Sequence, residues 1–243
     1  MRNVIVSGGS RGLGLAIARR LRDAGYCPIA VARRAGDEFA AAAREPGPLH
    51  FVACDLADLA AISGLVRAIR AEHGPIYGLV NNAGIGTSGV LATMRSEEIE
   101  RTVQLNTISP IVLSKHVVRA MMAGGSTKNG GRIVNISSIV ASTGFSGLSV
   151  YSATKASLVG FTKSLAREVG PLGITVNAVA PGFVDTAMTE GMDEHSRERV
   201  LRRSPLKRLA EAADVASAVE FLMGDQARNI TGTVLTVDAG GTA

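Results

Sequence analysis

The sequence predicts an α/β fold: a single domain, residues 1–243, built on a doubly wound parallel sheet of about seven strands with helices on both faces. Three observations predict it. Short apolar runs alternate with segments of helical periodicity along the whole chain, the pattern of a parallel sheet covered on both sides. The first run, residues 3–7, ends in a glycine turn that opens onto a helical pattern. No linker, repeat or low-complexity tract divides the 243 residues, a length that can bury one substantial core.

Composition narrows the function classes. A hydrophobic fraction of 46% with 19% charged residues argues against disorder, and no apolar run reaches the ~18 to 20 residues of a membrane-spanning helix, so no membrane partner is expected. The N-terminal run enters the first strand without a signal-peptide core, and a cytoplasmic location is the expectation. Cys27 and Cys54 are too few for a disulfide framework and read as buried strand residues. His50, His73, His116 and His195 are scattered, and no metal site is expected. The net charge of +5 would suit a nucleic acid, but the basic residues are dispersed and aromatics are only 4%, so that partner is not expected.

In chain order, residues 3–7 form a strand ending in Gly8-Gly-Ser10-Arg11-Gly12-Leu13-Gly14, followed by a helix through Leu15, Ile17, Ala18 and Leu21. Glycines here let the backbone approach a phosphate, and the helix start offers free N–H groups at the positive end of a dipole, a geometry that binds a dinucleotide. A second strand, 27–32, ends about twenty residues beyond that turn, where a carboxylate would hold the ribose hydroxyls of NAD. Arg33 and Arg34 stand there instead, which suits the 2′-phosphate of NADP, and Arg11 could close on the same phosphate; the alternative is a pair of solvated strand-end arginines.

A third strand, 49–54, leads to Asp55 and Leu56, where the carboxylate either contacts an adenine or caps the helix predicted at 59–72. The fourth strand, 78–80, ends in Asn81-Asn82-Ala83-Gly84, small and amide side chains suited to a cofactor crossing the strand ends. Residues 97–122 read as one long helix, kinked near Pro110, in which Asn106 is anomalous because asparagine is a poor helix former. A glycine-rich loop, 124–131, precedes a fifth strand, 133–137, with Ser137-Ser138 at its end.

The next helix carries Tyr151 and Lys155, four residues apart and therefore on one face. A nearby ammonium is expected to lower the phenol's pKa and make it a usable proton donor to a developing alkoxide. A sixth strand, 174–180, turns at Pro181-Gly182 into a polar, arginine-rich segment, 185–208, that reads as a substrate lid. Its arginines and acids either neutralise one another or serve a phosphorylated substrate. A helix at 212–223 and a strand at 234–237 close the chain.

Taken together, the Gly8/Gly12/Gly14 turn, Asn81-Asn-Ala-Gly84, Ser138, Tyr151-x-x-x-Lys155 and Pro181-Gly182 resemble the short-chain dehydrogenase/reductase family over essentially the whole chain. The runs 132–138, 160–168 and 179–183 look most like its 3-oxoacyl-[acyl-carrier-protein] reductase branch. The resemblance implies a Rossmann-like domain, NADP(H) as cofactor and reduction of a keto group, most often on a 3-oxoacyl thioester.

By the same resemblance, Tyr151 is the general acid, Lys155 lowers its pKa and holds the nicotinamide ribose, Ser138 hydrogen-bonds the substrate carbonyl and Asn106 holds a water in a relay to Lys155. Pro181, Gly182, Val184 and Thr186 bracket the nicotinamide. The family also implies a homotetramer, with the helices of Asn106 and Tyr151 at one interface and the last strand at another. Two departures stand out: Ser7 replaces a threonine, a change expected to be tolerated because a hydroxyl is kept, and Asn129 and Leu172 stand where carrier-protein reductases present arginines. The second leaves acyl-carrier protein, acyl-CoA and a free ketone all open as substrate carriers. A catalytically silent NADP-binding regulator would share the fold, but the presence of all four catalytic-type residues argues against it.

Overall fold

The computed structural model describes residues 1–123, 130–184, 198 and 201–243. Seven strands pair in parallel in the order β3-β2-β1-β4-β5-β6-β7. They are β1 (Asn3–Ser7), β2 (Cys27–Ala32), β3 (His50–Ala53), β4 (Ile76–Asn81), β5 (Gly131–Ile136), β6 (Ile174–Pro181) and β7 (Val234–Val237). Between them lie α1 (Gly12–Asp23), α2 (Gly36–Ala42), α3 (Leu59–His73), α4 (Ser96–Val103), α5 (Ser109–Ala123), α6 (Val140–Thr143), α7 (Ser149–Val169) and α8 (Ala212–Met223). This is the predicted doubly wound sheet, and among the described residues no helix is long and apolar enough to cross a membrane.

The side-chain period of two explains why the inner strands read as unbroken apolar runs. Val4 and Val6 of β1 point to one face and join Ile17 and Leu21 of α1 with Val219 and Leu222 of α8 in one core cluster. Ile5 points the other way and packs with Ile62 and Ile69 of α3, Leu113 and Val117 of α5 and Leu165 of α7. Each central strand is therefore buried twice. Cys27 is buried in β2, whereas Cys54 lies just past the end of β3 and is only partly buried, so just one cysteine is the expected buried strand residue. His50 and His73, distant in sequence, meet with ring centroids 4.5 Å apart where β3 begins and α3 ends.

Short α6 has no counterpart in the sequence expectation, and two further elements differ from it. The helix predicted over 97–122 is interrupted: α4 runs into a π-helical segment, Gln104–Ile108, before α5 begins. The irregularity therefore centres on Asn106 and precedes Pro110. Helix α2 is not predicted by the pattern, because only Phe39 and Ala42 are buried in its seven residues and no 3.6-residue stripe develops. The acidic first turn Asp37-Glu38 before Phe39-Ala-Ala-Ala is the signal that marks it.

A buried polar ladder ties the sheet to two helices. Asn81 on β4 donates to Ser114 Oγ of α5 (2.9 Å) and to Asn135 Oδ1 of β5 (2.8 Å), and Asn135 donates to Thr162 Oγ1 of α7 (2.8 Å). All four side chains are buried, where an unpaired polar atom costs more than a made bond returns. Asn135→Ala removes two of these bonds and is expected to destabilise the fold by about 2 to 4 kcal/mol, read as a lower urea midpoint at unchanged m-value.

Candidate active site

The sheet order places β1 between β2 and β4, so the chain winds outward to β3 and returns across β1 to build the other half. The crevice at the C-terminal ends of β1 and β4 is the place where such sheets bind dinucleotides. The turn after β1 and the chain leaving β4 are locked together there. Ser7 Oγ donates to Val80 O (3.2 Å) and accepts from the N–H groups of Asn82 (2.9 Å) and Ala83 (3.0 Å). The hydroxyl kept in the Thr-to-Ser departure makes all three bonds. Asn82 Nδ2 in turn donates to Ser7 O at 3.0 Å.

This closeness dictates glycine. A Cβ on Gly14 would lie 2.2 Å from Gly8 O and 2.5 Å from Asn82 Nδ2, and Gly8 itself has φ +66°, where side chains are strained. Ser10, Arg11, Gly12 and Leu13 complete the turn, with Arg11 extended at the N-cap of α1 and making no side-chain capping bond. Gly9, not among the predicted cofactor residues, belongs to the same packing, since a Cβ there would lie 2.8 Å from Ala30 Cβ.

Arg33 and Arg34 are exposed just beyond β2, and among the described residues neither makes an ion pair. Glu38, unforeseen in the sequence, reaches the same end of α1 and accepts from Gly12 N at 3.3 Å. Asp55 does not cap α3; that role belongs to Asp58, which accepts from Ala60 N and Ala61 N, while Asp55 Oδ1 accepts from Ala57 N (3.0 Å) and closes a turn beside buried Leu56. At the other side of the crevice, Pro181 ends β6 and accepts from Ile139 N (3.0 Å), Gly182 N donates to Val237 O (2.9 Å), and buried Val184 bridges to Ala210. Thr186 and Asn129, the lid residues 185–197 and 199–200, and with them Arg197 and Arg199, lie outside the described residues.

The catalytic candidates stand on the π segment, just past the end of β5 and on α7, and hydrogen bonds tie Asn106 to Thr154 and Lys155 to Ile136. Ser137 and Ser138 are adjacent but distinct: Ser137 is buried and its hydroxyl donates to Lys155 O (2.8 Å), whereas Ser138 is half-buried and its Oγ accepts from Val140 N at 3.4 Å, leaving its proton to give. Asn106 is buried at the centre of the π-helical segment. It donates to Ile85 O (2.8 Å) and accepts from Ile85 N (2.9 Å), fixing the chain just beyond Gly84, and its Nδ2 also reaches Thr154 Oγ1 (3.3 Å) on α7. Gly84 completes the junction, since a Cβ there would stand 3.1 Å from Asn106 Oδ1 and 3.6 Å from Lys155 Nζ. Pro110 has no N–H, so the α-helical donor to the Asn106 carbonyl is missing.

Lys155 is buried on α7 and donates from Nζ to Ile136 O at 2.9 Å. The same Nζ lies 5.6 Å from the centroid of the Tyr151 ring. Burial pushes the lysine down to about 8. Tyr151 keeps part of its surface exposed, and burial of the rest pushes its phenol up to about 12. This corrects the expectation that the neighbouring ammonium lowers the phenol: desolvation of the phenolate outweighs a cation whose donor is directed at a backbone carbonyl. The phenol is thus protonated throughout the neutral range, and it remains a stronger acid than an aliphatic alcohol.

A dinucleotide crevice that opens beside a protonated phenol and a buried amine on one helix belongs to a carbonyl–alcohol oxidoreductase. The sequence relatives agree. A family model described as enoyl-(acyl carrier protein) reductase matches residues 8–242. The chain is 42% identical over 236 residues to 3-oxoacyl-[acyl-carrier-protein] reductase FabG of Escherichia coli (strain K12), covering 97% of this chain and 95% of that protein. It is 35% identical over 239 residues to the reductase MabA of Mycobacterium bovis, covering 98% and 92%. Among solved structures, a short-chain dehydrogenase from Burkholderia cenocepacia J2315 in complex with NADP superposes with a TM-score of 0.90 at 34% identity, covering 100% of this chain and 98% of that one. The chain belongs to the short-chain dehydrogenase/reductase family.

The lysine gives a pH signature. Its folded value near 8 lies below the 10.5 of a free lysine, so between these pH values the unfolded chain binds a proton that the folded chain does not. Its contribution to stability therefore rises with pH across that window. Relative to Lys155→Met, the wild type is expected to gain on the order of 2 kcal/mol between those limits in urea titrations, and a parallel pH dependence of the two proteins would contradict the depressed value.

Proposed function

We propose that this protein reduces the keto group of a 3-oxoacyl thioester with NADPH. The observation that carries this reading is the likeness to the FabG and MabA reductases along nearly the full length of both chains. The crevice fits the cofactor: at Gly8 and Gly14 there is room for backbone alone, so a pyrophosphate can approach the start of α1. Exposed Arg11, Arg33 and Arg34 supply guanidinium forks for a 2′-phosphate, and no carboxylate directly ends β2 to take the ribose hydroxyls of NAD. When bound, NADPH supplies the hydride; the chain's own task is positioning and proton delivery.

In this reading the Ser138 hydroxyl donates to the carbonyl oxygen and Tyr151 gives its proton to that oxygen as alkoxide character develops. Lys155 binds the ribose hydroxyls and returns a proton to Tyr151. The Asn106 carbonyl, deprived of a helical donor by Pro110, is suited to accept from a water that continues the relay. Pro181, Gly182 and Val184 wall the nicotinamide, and the chain continues from them into the segment 185–208. Among its described members, Arg208 faces Asp214 at 3.8 Å, while Arg202 and Arg203 are exposed and available to a phosphorylated handle.

A homotetramer fits the exposed apolar residues Ile108, Ile111 and Met122, which lie on one side of the π segment and α5. A CoA thioester is the second reading for the substrate carrier, favoured by Leu172, which closes the turn Gly170–Leu172 without the cation that an acidic carrier protein would meet there. Comparing kcat/KM for acetoacetyl-carrier protein, acetoacetyl-CoA and an unactivated ketone with NADPH tests the substrate class; a clear preference for the unactivated ketone overturns the thioester assignment.

Tyr151→Phe is expected to lower kcat by on the order of a hundredfold or more while leaving the NADPH dissociation constant nearly unchanged, measured by steady-state rates and nicotinamide fluorescence. Arg33→Asp is expected to weaken NADPH by roughly tenfold or more and to improve NADH, since it replaces a phosphate partner with an acceptor for ribose hydroxyls. The check is the ratio of kcat/KM for the two cofactors in both proteins; an unchanged ratio would make Arg33 a solvated strand-end residue.

A further inference from the structure

The outer groove between α3 and α5 lies away from the crevice at the strand ends. The two helices pack through Ile62, Val66 and Ile69 against Leu113, Val117 and Met121, and along their rim the groove opens as a cleft of about 310 Å³. Ser63, Arg67 and Arg70 line it from α3, and His116 and Arg119 from α5. No carboxylate lines it.

Several arginines of the opposite layer and the sheet edge are matched with acids, although Arg101 of α4 and Arg167 of α7, like those of the groove, make no ion pair among the described residues. Arg19 and Arg22 meet Glu45, Arg20 meets Glu220 and Arg2 meets Asp225. In the groove, by contrast, Arg67, Arg70 and Arg119 make no ion pair among the described residues; Arg70 Nη2 donates to Ala123 O at 3.3 Å, a contact that closes the end of α5 and neutralises nothing. His116 stands among them, its imidazole pushed down by burial first and then by Lys115, Arg119 and Arg67. Like charges held across a groove repel one another, and among the described residues no carboxylate lines the groove or pairs with these arginines.

We propose that the α3/α5 groove is a second binding site, separate from the cofactor crevice, for a small molecule bearing a diphosphate. Guanidinium forks match phosphate oxygens in pairs, Ser63 adds a hydroxyl donor, and the cleft has the volume of a small-ligand site. Because α5 continues directly from the π segment that holds Asn106, an occupant of the groove bears on the helix that leads into the active site.

The test is calorimetric titration of the NADPH-loaded protein at low ionic strength with pyrophosphate and, in parallel, with ADP. Loading is followed separately by nicotinamide fluorescence, so failure of the cofactor assignment is seen as such. Saturable one-to-one binding is expected, weakened roughly tenfold or more in Arg67→Ala/Arg119→Ala and unchanged in Arg44→Ala, which removes an exposed charge elsewhere. Tighter binding of ADP than of pyrophosphate would assign a nucleotide, and the reverse an inorganic or sugar-type diphosphate. The proposal is overturned if neither probe saturates, if the double variant binds as the wild type does, if Arg44→Ala weakens binding equally, or if the KM for NADPH shifts in step with probe affinity.

Discussion

Ser7 Oγ receives the N–H groups of Asn82 and Ala83 and gives its own proton to Val80 O, so one small side chain ties the end of β1 to the end of β4. That junction holds two backbones too close for a side chain at Gly8 or Gly14, and so creates a surface made of peptide groups where β1 meets α1. The remainder of the site takes its position from it. The chain leaving β4 passes through Gly84 to Ile85, which Asn106 grips by both backbone groups, and Asn106 in turn touches Thr154, one residue before Lys155. A chain of short contacts thus leads from the glycine turn after β1 to the helix turn that carries Lys155.

Most of this was legible in the residues because it rests on local rules. The turn glycines, the double-sided apolar strands and the four-residue spacing of Tyr151 and Lys155 each have a period or a steric requirement that a sequence displays. The boundaries of α8 were readable for a similar reason: Glu211 and Asp214 form a reciprocal capping box at its start, and Gly224 stands at its end. What was not legible depends on three-dimensional accidents of packing. No period announces that Glu38 reaches Gly12, that His50 meets His73, or that Asp58 rather than Asp55 caps α3. The π segment was visible only indirectly, through an asparagine out of place.

The Tyr151–Lys155 pair illustrates a different limit. Spacing establishes that the two groups share a helix face, but the sign of a pKa shift depends on which effect is larger, and that depends on burial. Here the amine is directed at Ile136 O and desolvation dominates both groups. The result is a phenol that holds its proton and an amine close to losing one at physiological pH.

The π segment at Gln104–Ile108 amounts to a helix that has taken in one extra residue. Every side chain after it is rotated by about 100° relative to where an uninterrupted helix would have carried it. Without that offset, Leu113 and Val117 would turn away from the sheet, and Ile111 and Met122 would turn together away from the outer side. The single insertion therefore sets the phase of the whole helix. It fits one side of α5 to the core and leaves Ile111 and Met122 exposed on another, while the widened turn that results is the one in which Asn106 stands. In evolutionary terms, a one-residue deletion here would be felt at the core, the exposed apolar side of α5 and the surroundings of Asn106 at once, which makes this stretch far less tolerant of length change than the surface loops around it.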